Sequence, residues 1–158
     1  MIMLDAFQSF TDHARVWVYQ ANRTLDATEI VWVNDELTSF IKSWAAHGRK
    51  LRAEAKMITP FSIAFVVQDD VIEPSGCSID ASVHFVKKLE KELQVDFFSR
   101  MYVWVKAETE FQRLHISKLS DQKEDLLIYD PLIADLGSLR NTFLVSLAKS
   151  SLSHVMQA

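Results

Sequence analysis

Apolar residues recur along this chain with two periods, and the switches between them mark out its elements. Val16-Trp-Val-Tyr19 is a β-branched and aromatic run that reads as a buried strand, ended by Asn22 and Arg23. The period then lengthens: Ile30, Val33, Leu37, Phe40, Ile41 and Trp44 repeat at the spacing of one buried helix face. Asp26 and Glu29 stand at capping-box spacing, Leu25 and Ile30 at hydrophobic-staple positions, and Gly48 follows as a stop, so a helix is expected over Ala27 to His47. Leu51 to Ile58 and Phe61 to Gln68 read as extended segments around Thr59-Pro60, the second apolar enough to be central. Asp69, Asp70, Glu73 and Pro74 mark a polar loop. Ser78 is the expected cap of a second helix with the face Ile79, Val83, Val86, Leu89 and Leu93. After a short link, Val95 to Phe98, the run Met101 to Val105 is a strand that Phe111 to Ile116 can pair with across Ala107 to Thr109.

Strand, helix, two strands, helix, strand is the βαββαβ order of ferredoxin-like folds. The expected class is therefore α+β: a mainly antiparallel sheet with both helices on one face. The residues after Val105 exceed that unit and are expected to extend it with a strand and a helix, Asp130-Pro131 offering a cap and first turn and Leu139, Phe143 and Leu147 a face behind Ser138. Phe7 and Phe10 suggest a short amphipathic turn in the opening segment. The triplet Val-Trp-Val occurs three times, but its middle copy lies in the helical pattern, so it signals no repeat.

At 158 residues, 49% hydrophobic and 24% charged, the chain fits one globular domain spanning residues 1–158. Its net charge of -4 argues against sequence-blind binding to nucleic acid or to an anionic membrane. The basic clusters Arg49, Lys50, Arg52 and Lys87, Lys88, Lys91 do not change that, since acidic residues interleave the second. One cysteine makes no intrachain disulfide, the first residues lack the pattern of a signal peptide, and the longest apolar run, Phe61 to Val67, is far below the roughly 20 residues that span a bilayer. The expectation is a soluble, cytoplasmic protein with no membrane contact.

Three glycines, Gly48, Gly76 and Gly137, cannot write a phosphate-binding loop or a dinucleotide fingerprint. His13, His47, His84, His115 and His154 stand more than thirty residues apart, so no compact zinc spacing exists and no metal or cofactor is expected. The suggestive spot is Ser75-Gly-Cys-Ser78, which delivers Cys77 to a helix start, where the dipole and free amides stabilise a thiolate. Ser75, Gly76 and Ser78 could hold an anion there. Trp44 and His47 form a second candidate corner, and His47 would serve as base if it met Cys77 in space. A lone cysteine also packs readily as a small hydrophobe, and that bland reading stands beside the chemical one.

Three stretches together resemble a known family: Val16-Trp-Val-Tyr-Gln20 with Arg23 and Leu25, then Trp44-Ala-Ala-His-Gly48, then Ser75-Gly-Cys-Ser-Ile-Asp80 running on to Asp96-Phe-Phe-Ser-Arg100. They look like uncharacterised bacterial proteins of about this length that often carry the automatic label "ABC transporter ATPase". The label fails on chemistry, because such an ATPase needs a Walker A loop that these glycines cannot supply. The resemblance implies a family without an established activity and brings no catalytic residue with it. The leading expectation is a non-enzymatic module that binds a protein partner or itself through an apolar patch including Phe97, Phe98 or the C-terminal helix. The alternative is a small thiol-dependent enzyme, or an anion- or ligand-binding protein, built on Cys77.

Overall fold

The computed structural model describes residues 2–46, 48–68 and 73–157. His47, Asp69 and Asp70 therefore lie outside the described residues. The chain is α+β. A three-stranded antiparallel sheet holds β1 (Arg15–Gln20), β5 (Ser62–Gln68) and β4 (Arg52–Thr59) in the order β1-β5-β4. Every residue of β5 is buried, as its unbroken apolar run requires of a central strand.

Alternation along β5 divides two cores. Ile63, Phe65 and Val67 face α1 (Ala27–Ser43) and α2 (Gly76–Leu93), which therefore cover one face together. Ala64 and Val66 face the opposite core, where Val16 and Ile58 join them; Ala55 and Met57 face the helices, so alternation turns Ile58 to that side.

The capping box of α1 forms: Glu29 N–H donates to Asp26 Oδ1 at 2.8 Å and Asp26 N–H to Glu29 Oε1 at 3.0 Å. Arg23 forks onto the same carboxylate at 2.9 and 2.8 Å and also donates to the Leu93 carbonyl at 2.8 Å, fastening the start of α1 to the end of α2. The Arg23 hydrogen bonds, then the Asp26 amide, lower the Glu29 pKa to about 2. A carboxylate depressed on folding stabilises the protein above its unfolded pKa of about 4.3, and that stability is lost as pH falls from there towards 2. Glu29→Gln should flatten the urea stability curve in this window by at most about 1 kcal/mol, since the pair is partly exposed. An unchanged acid slope would disprove the coupling.

The sequence is corrected at both helix ends. α1 stops at Ser43, four residues short of His47, because Trp44 leaves the helix in an extended conformation to bury its ring. Gly48, with φ of +75°, serves instead in the connection between β2 (Ala45–Ala46) and β3 (Arg49–Lys50). α2 begins one turn earlier than expected: Ser75, not Ser78, is the cap. Its buried face starts with Ser78 and Ser82 rather than Ile79 and Val83, small residues whose hydroxyls bond back to Ser75 O and Ile79 O.

The largest departure concerns the fourth strand. In a ferredoxin-like sheet it would lie along the free edge of β1, but β6 (Tyr102–Lys106) pairs with β7 (Phe111–His115) and β8 (Leu127–Tyr129) instead. With β9 (Leu144–Ser146) these make a second sheet, ordered β7-β6-β8-β9. The hairpin partner, five residues away, takes one edge of β6 and β8 takes the other, which leaves none to offer β1. Trp104 and Tyr129 pack into the second core with Phe7, Phe10 and Phe61, while Val103, Val105 and Ile128 face a third cluster closed by Leu119 and Leu147.

Asp130-Pro131 starts no helix. The Asp130 carboxylate is buried and accepts the N–H groups of Leu132 and Ser151 at 3.0 and 2.8 Å, together with the Ser151 hydroxyl. α3 (Leu136–Thr142) is capped by Asp135, and Leu147 lies beyond it, past β9, so Leu139, Phe143 and Leu147 share no helix. Among the described residues no helix is long and apolar enough to cross a membrane.

Candidate functional site

The corner expected from the sequence forms in part. The Trp44 indole donates to the Ser78 carbonyl at 2.8 Å, so the two stretches Trp44–Gly48 and Ser75–Asp80 do meet. Ser75 and Ser78 satisfy each other: Ser78 N–H donates to Ser75 Oγ at 3.1 Å and Ser75 N–H to Ser78 Oγ at 2.5 Å. The hydroxyl of Ser75 thus occupies the position an anion would take at this amide. Gly76 faces open space, and Cys77 is exposed on the first turn of α2. Trp44 is 3% exposed and packed against Phe40 and Phe65, which makes it part of the core. No group of three or more histidine, cysteine or carboxylate side chains gathers as metal ligands would among the described residues.

A second place has the form of a binding site. A cavity of about 290 Å³ opens where the C-terminal half of β1, the 97–100 loop, the β6–β7 hairpin and the Pro131-Leu132 turn converge. Its volume is at the lower end of small-ligand sites, about 300 Å³.

One wall is the unpaired edge of β1. The Val16 N–H points away from β5 and donates to the Ala134 carbonyl at 3.0 Å, whereas Ala21 N–H points the other way, to Phe61 O at 2.7 Å. Strand alternation therefore turns the N–H and C=O of Val18 and of Gln20 outward as well, and neither residue has a backbone partner on that side among the described residues. The 134–136 stretch covers only the beginning of the edge, through its bridge to Arg15 and the Leu136 N–H bond to Ala14 O.

The loop wall is held by hydrogen bonds to its neighbours. Asn22 and Asp96 exchange hydrogen bonds at 2.9 Å in both directions, and Glu90 accepts the Phe97 N–H at 2.6 Å. Burial raises the Glu90 pKa against the opposing pull of that N–H. Phe98 N–H donates to Asp96 Oδ1 at 2.8 Å, a turn that sets the Phe98 ring edge-on to Tyr19.

The hairpin wall supplies aromatic surface and charge. Arg113 shares a face with Tyr102 and Trp104, its guanidinium 4.3 Å from the Tyr102 centroid, and Nη1 donates to Asn22 O at 3.2 Å. Burial lowers its pKa, opposed by Tyr102 and Asp96, and the arginine remains a cation. Three buried side-chain polar atoms lack partners among the described residues: Gln20 Nε2, Arg113 Nε and Ser62 Oγ. The first two belong to walls of this cavity.

Sequence reasoning passed over Gln20, Tyr102, Trp104 and Arg113. The signal for Arg113 was its period-two spacing from Phe111 and His115, which sets a lone cation on the aromatic face of a hairpin. No family model, curated protein or solved structure matches this chain.

Proposed function

We propose that this chain is a non-enzymatic binding module that takes an extended segment of a partner protein as an added strand on β1. The observation that carries it is the open edge at Val18 and Gln20, set in the wall of a cavity. Sheet edges are usually blunted by charge, proline or cover, and Val18, Tyr19 and Gln20 bring neither charge nor proline to this half of the edge, which faces the cavity. In strand addition, main-chain bonds supply affinity and adjoining pockets supply specificity. The rim suits the second role, since Tyr102 and Leu132 are 43% and 67% exposed. Of the residues expected in an apolar patch, Phe98 lines the cavity half-buried, while Phe97 is buried.

Selection from a displayed library of random heptapeptides with free C-termini tests the reading. Val18→Pro removes the outward N–H but no β1–β5 ladder bond, and should weaken selected peptides about tenfold or more, the worth of roughly one hydrogen bond. Equal binding by a folded Val18→Pro variant would refute it. Thiol chemistry at Cys77 has one observation in its favour, the exposure of the sulfur.

A further inference from the structure

We infer that the segment received by β1 ends in the groove, with its C-terminal carboxylate held by Arg113. This rests on the strand-addition reading and specifies what the incoming chain must carry. The edge is closed at both ends: the Val16 N–H is taken by Ala134 O at 3.0 Å, and beyond Gln20 the next outward N–H, that of Asn22, is taken by Asp96 O at 2.9 Å. Between these closures the outward groups are the Val16 carbonyl, both groups of Val18 and the Gln20 backbone. A window this short suits the end of a chain better than a continuous strand.

Charge decides which end. Arg100 and Arg113 line the cavity and, among the described residues, no aspartate or glutamate does. Arg113 binds Asn22 O through Nη1, while Nε and Nη2, the two donors along the other edge of the guanidinium, have no partner among the described residues. That edge is the fork that matches both oxygens of a carboxylate. Nε is shielded from water, so a side-chain rotation at the rim must admit the carboxylate, and the bond then forms where solvent competes little. The Gln20 amide is a second unpartnered donor in the same walls. Because Arg113 sits at the Asn22 end of β1, a chain ending there runs parallel to β1.

The test uses the heptapeptide most enriched by the selection, synthesised as the free acid, as the C-terminal amide, and as an amide with glutamate at the last position. The acid should bind at least about tenfold tighter than the simple amide. Arg113→Gln should erase that difference while leaving amide binding in place, and in the unaltered chain the acid alone should shift the Arg113 Nε–H resonance. Acid and amide binding equally, with Val18 and Gln20 amides protected from exchange, would overturn the carboxylate assignment and leave strand addition standing. The glutamate amide matching the acid would show that an internal carboxylate serves, and would overturn the chain-end assignment. A selection that enriches no peptide overturns both readings.

Discussion

Trp104→Ala is expected to destabilise the protein by about 3–5 kcal/mol, enough to lower the melting temperature by roughly 6–20 °C. The indole joins the two sheets. It is 5% exposed, stacks on Phe61 with centroids 4.2 Å apart, and donates to the Ala21 carbonyl at 2.8 Å. Truncation removes the contact between β6 and the Phe61 corner, opens the cavity into the second core, and takes the donor from a buried carbonyl, itself worth about 1–3 kcal/mol. Trp104→Phe keeps most of the stacking and should lose about 1–2 kcal/mol, chiefly the hydrogen bond. Urea unfolding of both variants checks the pair. A loss under about 1 kcal/mol for the alanine variant would mean that the second sheet does not depend on this contact.

The place of Trp104 also shows where sequence stopped informing the fold. Elements with a local cause were legible. Asp26 and Glu29 cap α1 through side chains three residues apart, and the apolar run of β5 demanded a central strand. The order β1-β5-β4 with both helices on one face follows the βαββαβ pattern as far as the third strand. β6 was legible as a strand and misplaced in the sheet, because its partner is decided by competition between a nearby hairpin and a distant edge, which no periodicity records. The C-terminal part was least legible, since β8 and β9 are three residues each and draw their stability from β6 and from the clusters on either side.

The candidate site divides in the same way. Ser75, Gly76, Cys77 and Ser78 were conspicuous as chemistry at a helix start, and the structure shows two of their hydroxyls engaged in capping. The cavity was hidden because it exists only where β6 does not pair with β1. Its defining groups are backbone amides of an ordinary-looking strand, and a backbone edge leaves no mark in composition. Arg113 gains meaning only beside Tyr102, Asn22 and Gln20, residues that topology brings together, across 91 positions in the case of Asn22.

Trp44→Ala and Cys77→Ser should have opposite outcomes, although the two residues belong to the same candidate corner. Trp44 is buried among Trp17, Phe40 and Phe65, with ring centroids at 6.2, 5.4 and 5.8 Å, and its indole N–H reaches Ser78 O at 2.8 Å. Its removal leaves a cavity between the end of α1 and the first turn of α2 and should destabilise by about 3–5 kcal/mol. Trp44→Phe should lose about 1–2 kcal/mol, because the ring packing largely survives and only the bond between the two elements is broken. Cys77 faces solvent one residue before Ser78, so its replacement by serine should change stability by less than about 0.5 kcal/mol. Denaturant unfolding of the three variants measures all of these. A near-neutral Trp44→Ala would mean that the indole belongs to a ligand surface rather than to the core, and a large loss from Cys77→Ser would mean that the thiol is packed. The expected pattern assigns Trp44 to holding α1 against α2 and leaves Cys77 with no part in the core.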